Sequence, residues 1–252
     1  GFLKKMFGQN YQFKMVYFVN MDYFLHKMSR VRFLSLEKLA KKDGYFLRSD
    51  FWVTTSNKQL AFLMGHDPDS FNRWDAGQQL MINVLLEIVD DIQKQNTLAL
   101  SPLLLSQLEA VLNDEQLDPA LVAKMLTLPT ENYLAAQMPV ADVDGIHQAR
   151  EFAKRQIAIS LKPLFNARYE SLSKKKKYQF NAEYMAARSL KNLCLSYLAA
   201  TDDPLQMQRC LRQMKVTDNM TELLAGLRLM VDQAGPEREH ALRAFYEQWK
   251  HD

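Results

Sequence analysis

From residue 56 onward, apolar residues recur every three to four positions, and each run of them begins at a residue that can cap a helix. This spacing gathers apolar side chains on one helix face, so it predicts a succession of amphipathic helices. The longest run starts at Asp69 and extends to about Gln95. Its apolar residues at helical spacing are Phe71, Trp74, Leu80, Val84, Leu85, Ile88 and Ile92.

Start and stop residues divide the sequence into further helices. Ser56 is placed to cap a short helix through Met64, which Gly65 and Pro68 are expected to end. Four proline pairs mark further starts, because a proline in the first turn of a helix loses no hydrogen bond. These pairs are Ser101-Pro102, Asp118-Pro119, Asp203-Pro204 and Gly235-Pro236.

Caps without a proline predict the other helices of this region. Asp142 opens a helix toward Ser171, and Pro163 inside it is expected to kink or end it. The remaining predicted helices run over 182–200 after the Asn181 cap, and from Asn219 or Thr217 to near Gln233.

The late helix starts follow a regular rhythm. Starts near residues 182, 204, 219 and 236 alternate so that every second start lies 32–37 residues further on. That is the length of a helix-pair repeat, in which each pair buries its apolar face against the next pair. Only 8 glycines and few β-branched runs also favour helix over sheet. The sequence therefore predicts an all-α fold, an α-solenoid-like array of antiparallel helix pairs.

The first 55 residues differ from the rest in composition and charge. They contain 13 of the 27 aromatic residues, and 10 Lys/Arg against 4 Asp/Glu give them a net charge of +6. The other 197 residues carry a net charge of −3. Residues 1–55 show no clear caps or helical period, although 51–55 favours a strand. We therefore divide the chain into an unmatched aromatic and basic segment over 1–55, either disordered or mistranslated, and a helical domain over 56–252.

Cysteine usage and hydropathy indicate where the protein functions. Cys194 and Cys210 lie on predicted helices among apolar residues, as thiols packed in the core of a protein from a reducing compartment do. No stretch approaches the roughly 20 apolar residues of a membrane span. Residues 1–55 also lack the small-residue cleavage site of a signal peptide. The expected location is cytoplasmic.

Three acidic and histidine clusters were considered as metal sites. Asp142 and Asp144 lie near His147, but Asp142 is better interpreted as a helix cap, and a metal needs more ligands than the other two supply. The other clusters are interpreted in the same way, as turn, cap and first-turn residues. They are His66 with Asp67 and Asp69, and Glu237 with Glu239 and His240.

A basic run at 174–177, four consecutive lysines, resembles a patch for nucleic acid or lipid. It follows the predicted C-terminal end of a helix, where the helix dipole stabilises positive charge. Blocks of like charge are usually solvated, so we interpret this run as a solvated loop and expect no nucleic-acid partner.

Several short strings after residue 56 occur in one order and at compatible spacing in a known family. They are 59–64 (QLAFLM), 69–76 (DSFNRWDA), 117–121 (LDPAL), 126–129 (LTLP), 187–195 (ARSLKNLCL), 219–222 (NMTE) and 245–249 (FYEQW). Together they resemble the C-terminal helical domain of bacterial aminopeptidase N, a family of zinc metallopeptidases. None of these strings is a catalytic motif.

The resemblance implies a parent enzyme that removes N-terminal residues from peptides. In that family the helical domain closes over the active site, and a catalytic domain before it carries two motifs. One is a Gly-x-Met-Glu-Asn loop for the substrate amine, and the other is His-Glu-x-x-His, which binds zinc together with a distant Glu.

Neither motif occurs in this sequence. The residue after each of the five histidines differs from the required Glu; these histidines are His26, His66, His147, His240 and His251. We therefore predict no catalytic, cofactor-binding or metal-binding residue, no zinc in this chain, and no activity of the chain alone. We expect it to be an internal piece of the parent, whose missing catalytic domain is its partner and whose substrates are peptides.

Two other interpretations of the sequence remain open. The first is a free-standing helical scaffold that binds a protein partner on a concave face. The second is a peripheral membrane protein that uses the basic segment 1–55, since basic and aromatic residues favour anionic lipid surfaces.

Overall fold

The computed structural model of the chain describes residues 56–173, 178–201, 203–232 and 236–251. The chain divides into two units, Gly1–Thr55 and Ser56–Asp252. The strand predicted over 51–55 lies outside the described residues, as does the basic run 174–177. Within the described ranges, the second unit consists of helices joined by short connections, without a strand.

Eleven helices are present in this described part of the chain. They are α1 Asn57–His66, α2 Ser70–Gln93, α3 Pro102–Asn113, α4 Pro119–Met125, α5 Glu131–Ala135, α6 Val143–Ser160, α7 Lys162–Leu172, α8 Ala182–Ala199, α9 Pro204–Val216, α10 Met220–Val231 and α11 Pro236–Trp249.

Most helices begin where the capping residues predict. Ser56 and Gln59 form a reciprocal capping box at the start of α1. Caps on five later helices accept a hydrogen bond from the backbone of the first turn, which satisfies a donor that has no partner inside the helix. These caps are Asp69, Asp118, Asp142, Asn181 and Asn219.

The structure corrects two local predictions. Gly65 does not end α1, which continues to His66 and closes at Asp67. Ser101 precedes α3, but its side chain makes no capping hydrogen bond, so the start of this helix depends on Pro102.

The helix expected between Asp142 and Ser171 is interrupted at Leu161. α6 ends at Ser160, and α7 starts at Lys162 with Pro163 in its first turn. A proline has no amide hydrogen and its ring crowds the preceding turn, so the chain starts a new helix at this point. The prediction that Pro163 kinks or ends this helix is confirmed.

Two details of the helix boundaries were not predicted. Thr130 caps the short helix α5 by accepting a hydrogen bond from the Tyr133 amide. α2 ends with Gln95 in a left-handed conformation, at φ 57°. The Asn96 amide then donates to the carbonyl of Asp91, which closes the helix as a glycine usually does.

The helices pack as pairs that share one apolar core. α1 packs on α2, α7 on α8, and α9 on α10, which confirms the predicted rhythm of helix pairs. α8 is central, because it also contacts α4, α6, α9 and α10. Inside this core, the rings of Phe165 and Tyr197 stack with their centroids 4.6 Å apart.

Candidate functional site

The side chains of Asp142 and His147 contact different partners and do not meet at a common site. Asp142 caps α6 by accepting a hydrogen bond from the Gly145 amide at 2.9 Å, and it accepts a second from Nε2 of Gln93 at 2.8 Å. These two hydrogen bonds lower the pKa of the Asp142 carboxyl group, the one from Gln93 more strongly. Asp142 therefore ties the start of α6 to the end of α2.

His147 pairs with a residue that the sequence did not indicate. Its Nδ1 lies 2.9 Å from Oε1 of Glu131 on α5, and Arg150 approaches the same carboxylate at 3.6 Å. The hydrogen bond that Nδ1 of His147 donates to the Glu131 carboxylate raises the pKa of His147, and the same bond lowers the pKa of Glu131. Both side chains are largely exposed, so this is a surface ion pair that joins α5 to α6.

The other two candidate clusters also have structural roles. Asp67 accepts hydrogen bonds from the Asp69 amide and from Nδ2 of Asn72, while the ring of His66 packs on Phe62. Glu237 and Glu239 lie in the first turn of α11. In the part of the chain that the structure describes, no three His, Cys, Asp or Glu side chains are grouped to hold a metal ion.

The two cysteines are buried free thiols in the core. Burial raises the pKa of Cys194 to about 12 and that of Cys210 to about 11. A thiol attacks as its thiolate, and these groups stay protonated near neutral pH, so neither cysteine is suited to act as a nucleophile.

The densest group of polar side chains lies where α9 and α10 meet α7 and α8. Gln213 is its centre, since its Oε1 accepts from the Tyr169 hydroxyl at 3.1 Å and its Nε2 donates to Oδ1 of Asn192 at 2.9 Å. We call this group the polar seam. Its members are Asn166, Tyr169, Glu170, Lys191, Asn192, Arg209, Gln213 and Glu222.

An ion pair of low exposure belongs to the same seam. Nζ of Lys191 lies 2.8 Å from Oε2 of Glu222, and each side chain is only 12 % exposed. The hydroxyl of Thr217 donates to the same oxygen at 3.2 Å. Burial raises the pKa of the nearby Tyr169 hydroxyl. Because these groups bind one another, the seam holds helices together and offers a substrate no free acid or base.

Two open cavities border this region. One, of about 510 Å³, lies between α9, α10 and α11, and Trp249 lines it. Nε1 of Trp249 is buried and has no hydrogen-bond partner within the part of the chain that the structure describes. The second, of about 440 Å³, is lined by Lys191 and Glu222, which pair with each other.

Sequence reasoning missed the polar seam, although the sequence contains a hint of it. Gln206, Cys210 and Gln213 are spaced as residues of one helix face, and all three are buried on α9. Polar residues at positions that the periodicity assigns to the core indicate a buried hydrogen-bond network. Their partners on α7, α8 and α10 could not be read from spacing, since they lie up to 44 residues away.

No helix in the described ranges combines the length and the apolar character that crossing a membrane requires.

Comparison with known proteins shows the family. Residues 57–252 match the family described as a domain of unknown function (DUF3458_C) with ARM repeats. The chain is 34 % identical over 198 residues to the aminopeptidase N of Escherichia coli, and 36 % identical over 195 residues to that of Haemophilus influenzae. Each alignment covers 77 % of this chain and 22 % of the relative. The chain thus spans about a fifth of the length of these curated relatives.

A solved structure has the same helical arrangement. The crystal structure of Legionella pneumophila aminopeptidase A in complex with aspartic acid superposes with a TM-score of 0.68 and 25 % sequence identity. The match covers 78 % of this chain and 24 % of that chain. The chain therefore belongs to the DUF3458_C family of ARM-repeat domains and is homologous to the C-terminal helical domain of aminopeptidase N-type enzymes.

Proposed function

We propose that this chain is the helical part of an aminopeptidase N-like zinc peptidase, in which it caps the active site and restricts access to peptides. The observation that carries the proposal is the similarity to aminopeptidase N, which extends over 77 % of this chain. The enzyme as a whole removes N-terminal residues from peptides. The partner of residues 56–252 is then the catalytic domain.

The catalytic zinc belongs to that partner domain in this proposal. Zinc peptidases of this kind hold the metal with two histidines one helical turn apart, which the motif His-Glu-x-x-His supplies. That motif is absent from the sequence, Asp142 caps a helix and His147 pairs with Glu131. The residues present do not fit the metal, so we assign this chain no step of the hydrolysis.

The role left for this chain is mechanical. A rigid array of packed helices can exclude folded proteins from a site that it covers while it leaves room for a peptide. The buried core, the stacked rings of Phe165 and Tyr197 and the capped helices make residues 56–252 suitable for that role. Two buried thiols without a disulfide fit the reducing environment of the cytoplasm, where we place the enzyme.

A chimeric enzyme tests the proposal directly. Residues 56–252 of this chain would replace the matching 195-residue segment of the Haemophilus influenzae aminopeptidase N, to which it is 36 % identical. We expect the chimera to bind zinc, to cleave an alanyl-anilide and a short peptide, and to leave a folded protein intact. The unmodified relative gives the reference rates of cleavage. A variant of the relative without the segment shows whether a folded protein is cleaved when the active site is uncovered.

The isolated chain provides the second half of the test. We expect it to contain no stoichiometric zinc and to show no turnover of the alanyl-anilide. Turnover with bound zinc would refute the assignment of catalysis to another domain. A chimera that melts cooperatively and binds zinc but cleaves neither substrate would refute the capping role and favour the free-standing scaffold.

A further inference from the structure

α11 carries apolar side chains on two different faces. On one face, Ala241 is buried and Phe245 packs against the apolar core, which fixes the helix on the array. On another face, Leu242 and Tyr246 are 36 % and 63 % exposed, and the partly buried Trp249 follows them at helical spacing. A helix that borders only the core and water needs one apolar face, so this second apolar face is available to a partner.

A row of charged residues runs along the edge of this second face. The spacings of the row are four, four and three residues, and its exposed members are Glu239, Arg243, Glu247 and Lys250. Residues three and four apart lie on one side of a helix, and the signs of these charges alternate along it. Nζ of Lys250 lies 6.0 Å from the centre of the Tyr246 ring, so the charged row adjoins the apolar face.

The order of these charges makes the row complementary to a copy of itself. An alternating row that is reversed presents the opposite sign at each level, so two antiparallel copies oppose unlike charges along their whole length. A twofold axis at the level of residue 245 places Glu239 opposite Lys250 of a second copy, and Arg243 opposite Glu247. Two parallel copies in register would oppose like charges, which disfavours their association.

We propose that the chain forms a symmetric dimer through α11, in which the two copies of this helix are antiparallel. The register that the charges select also places Leu242 opposite Trp249 of the second copy and brings the two Tyr246 rings together at the axis. Burial of these apolar side chains favours association, and the charged row determines the direction and the register.

The proposed interface is small, because α11 has 14 residues and is about 21 Å long. Small interfaces are typical of weak and reversible complexes, so we expect monomer and dimer to exchange. Each copy contributes the same surface, as in most dimers. This self-association does not depend on the capping role proposed above.

Sedimentation analysis of the full chain at increasing concentration tests the proposal. One chain has a mass of 29.3 kDa. We expect the average mass to rise with concentration and to level off at twice this value. A single chain at every concentration, or growth beyond two chains, would overturn the proposal, because an interface with twofold symmetry closes at the dimer.

Two equally exposed aromatic residues separate α11 from the rest of the surface. Tyr246→Glu places a charge at the centre of the proposed interface, so we expect the dimer to dissociate at a concentration at least tenfold higher. Phe62→Glu on α1 is the matched control, since Phe62 is also 63 % exposed, and it should leave the dimer unchanged. Circular dichroism confirms that both variants are folded. An association that Tyr246→Glu does not weaken would overturn the proposal, because its interface would lie elsewhere.

Charge reversal tests the antiparallel register. Lys250→Glu sets two carboxylates against each other between the copies, so we expect the dimer to weaken at least fivefold. The addition of Glu239→Lys should restore the dimer to within twofold, because each pair then has opposite signs again. Lys250 also pairs with Glu247 of its own chain, and Glu239→Lys does not repair that contact. Equal weakening in the single and the double variant would therefore overturn the proposed pairing.

Discussion

The hydroxyl of Tyr197 donates a hydrogen bond of 2.6 Å to the carbonyl oxygen of Leu126, a residue 71 positions earlier in the chain. Leu126 is the C-terminal cap of α4, directly after its last residue Met125, and Tyr197 lies near the end of α8. Carbonyl groups at a helix end have no partner inside the helix, and both residues are buried. A side chain from a distant helix thus completes a helix end that water cannot reach.

Removal of that hydroxyl tests its contribution to stability. Tyr197→Phe leaves the buried carbonyl of Leu126 without this donor, so we expect the free energy of unfolding to fall by about 1–3 kcal/mol. Urea denaturation monitored by circular dichroism measures the change. The control is Tyr133→Phe, because Tyr133 is exposed on α5 and the same substitution should cost little there. Equal effects of the two substitutions would contradict the role given to this hydrogen bond.

The left-handed conformation of Gln95 predicts a stabilising substitution. The left-handed conformation is unfavourable by about 1–2 kcal/mol for a residue that has a Cβ atom. Glycine avoids this strain, although it loses more chain entropy on folding. We therefore expect Gln95→Gly to raise the free energy of unfolding by about 0.5–1 kcal/mol. Glu109→Gly, at an exposed interior position of α3, should lower it by about 1 kcal/mol. Thermal melts compare the two variants, and the same sign for both would contradict the prediction.

Close packing at Gly226 predicts that a larger residue there lowers the free energy of unfolding. Gly226→Ala places a methyl group against Met214 and the Cys210 carbonyl, so we expect a loss of about 1–3 kcal/mol. The double variant with Met214→Ala should recover part of this loss, because the side chain that gives way is then absent.

Gly65 is the matched position for this comparison. A Cβ there meets only the amide end of Gln107 at 3.2 Å, and alanine is favoured over glycine in a helix. Gly65→Ala should therefore be neutral or stabilising in the same denaturation experiment. A loss at Gly65 as large as that at Gly226 would show that α9 and α10 are not packed as described.

The pair of His147 and Glu131 predicts a dependence of stability on pH. Because Glu131 raises the pKa of His147 in the folded state, the pair's contribution is complete below the unfolded value, about 6.5. It is lost as the pH rises through the raised pKa of the folded state. At acid pH the pair weakens again, when Glu131, whose pKa is lowered, becomes protonated.

Titration by NMR measures this effect. Replacement of the partner, Glu131→Gln, should bring the pKa of His147 down toward its ordinary value, and it should reduce the difference in melting temperature between pH 5.5 and pH 8. His147→Gln should remove that part of the pH dependence as well. An unchanged pKa of His147 in Glu131→Gln would contradict the ion pair.

The helices themselves were predictable because their causes are local. Asp142 caps α6 through the amide three residues later, and Pro163 interrupts the chain within one turn of its own position. The short helix α5 escaped prediction because five residues are too few to show a period. Ser101 occupies the cap position of α3 as predicted, but its side chain makes no capping hydrogen bond.

The sequence showed which acidic residues and histidines are close in number, but it did not show which of them are in contact. Spacing along the sequence placed Asp142 and Asp144 beside His147, but the fold turned His147 toward Glu131 and Asp142 toward Gln93. Asp142 is the cap of α6 and His147 lies five positions further on, so the two side chains leave the helix in different directions and contact different helices.

What the sequence alone determined is the all-α fold and its family, since caps, periodicity and short strings act over a few residues. The tertiary structure decided which helices exchange buried polar contacts, as Gln213 does with Tyr169 from 44 residues away. The physical reason is that a buried hydrogen bond depends on the distance and direction between two atoms, and these are fixed only when the helices pack. Hence the apolar face of α9 could be expected from its pattern, while the polar seam within it emerged from the packing.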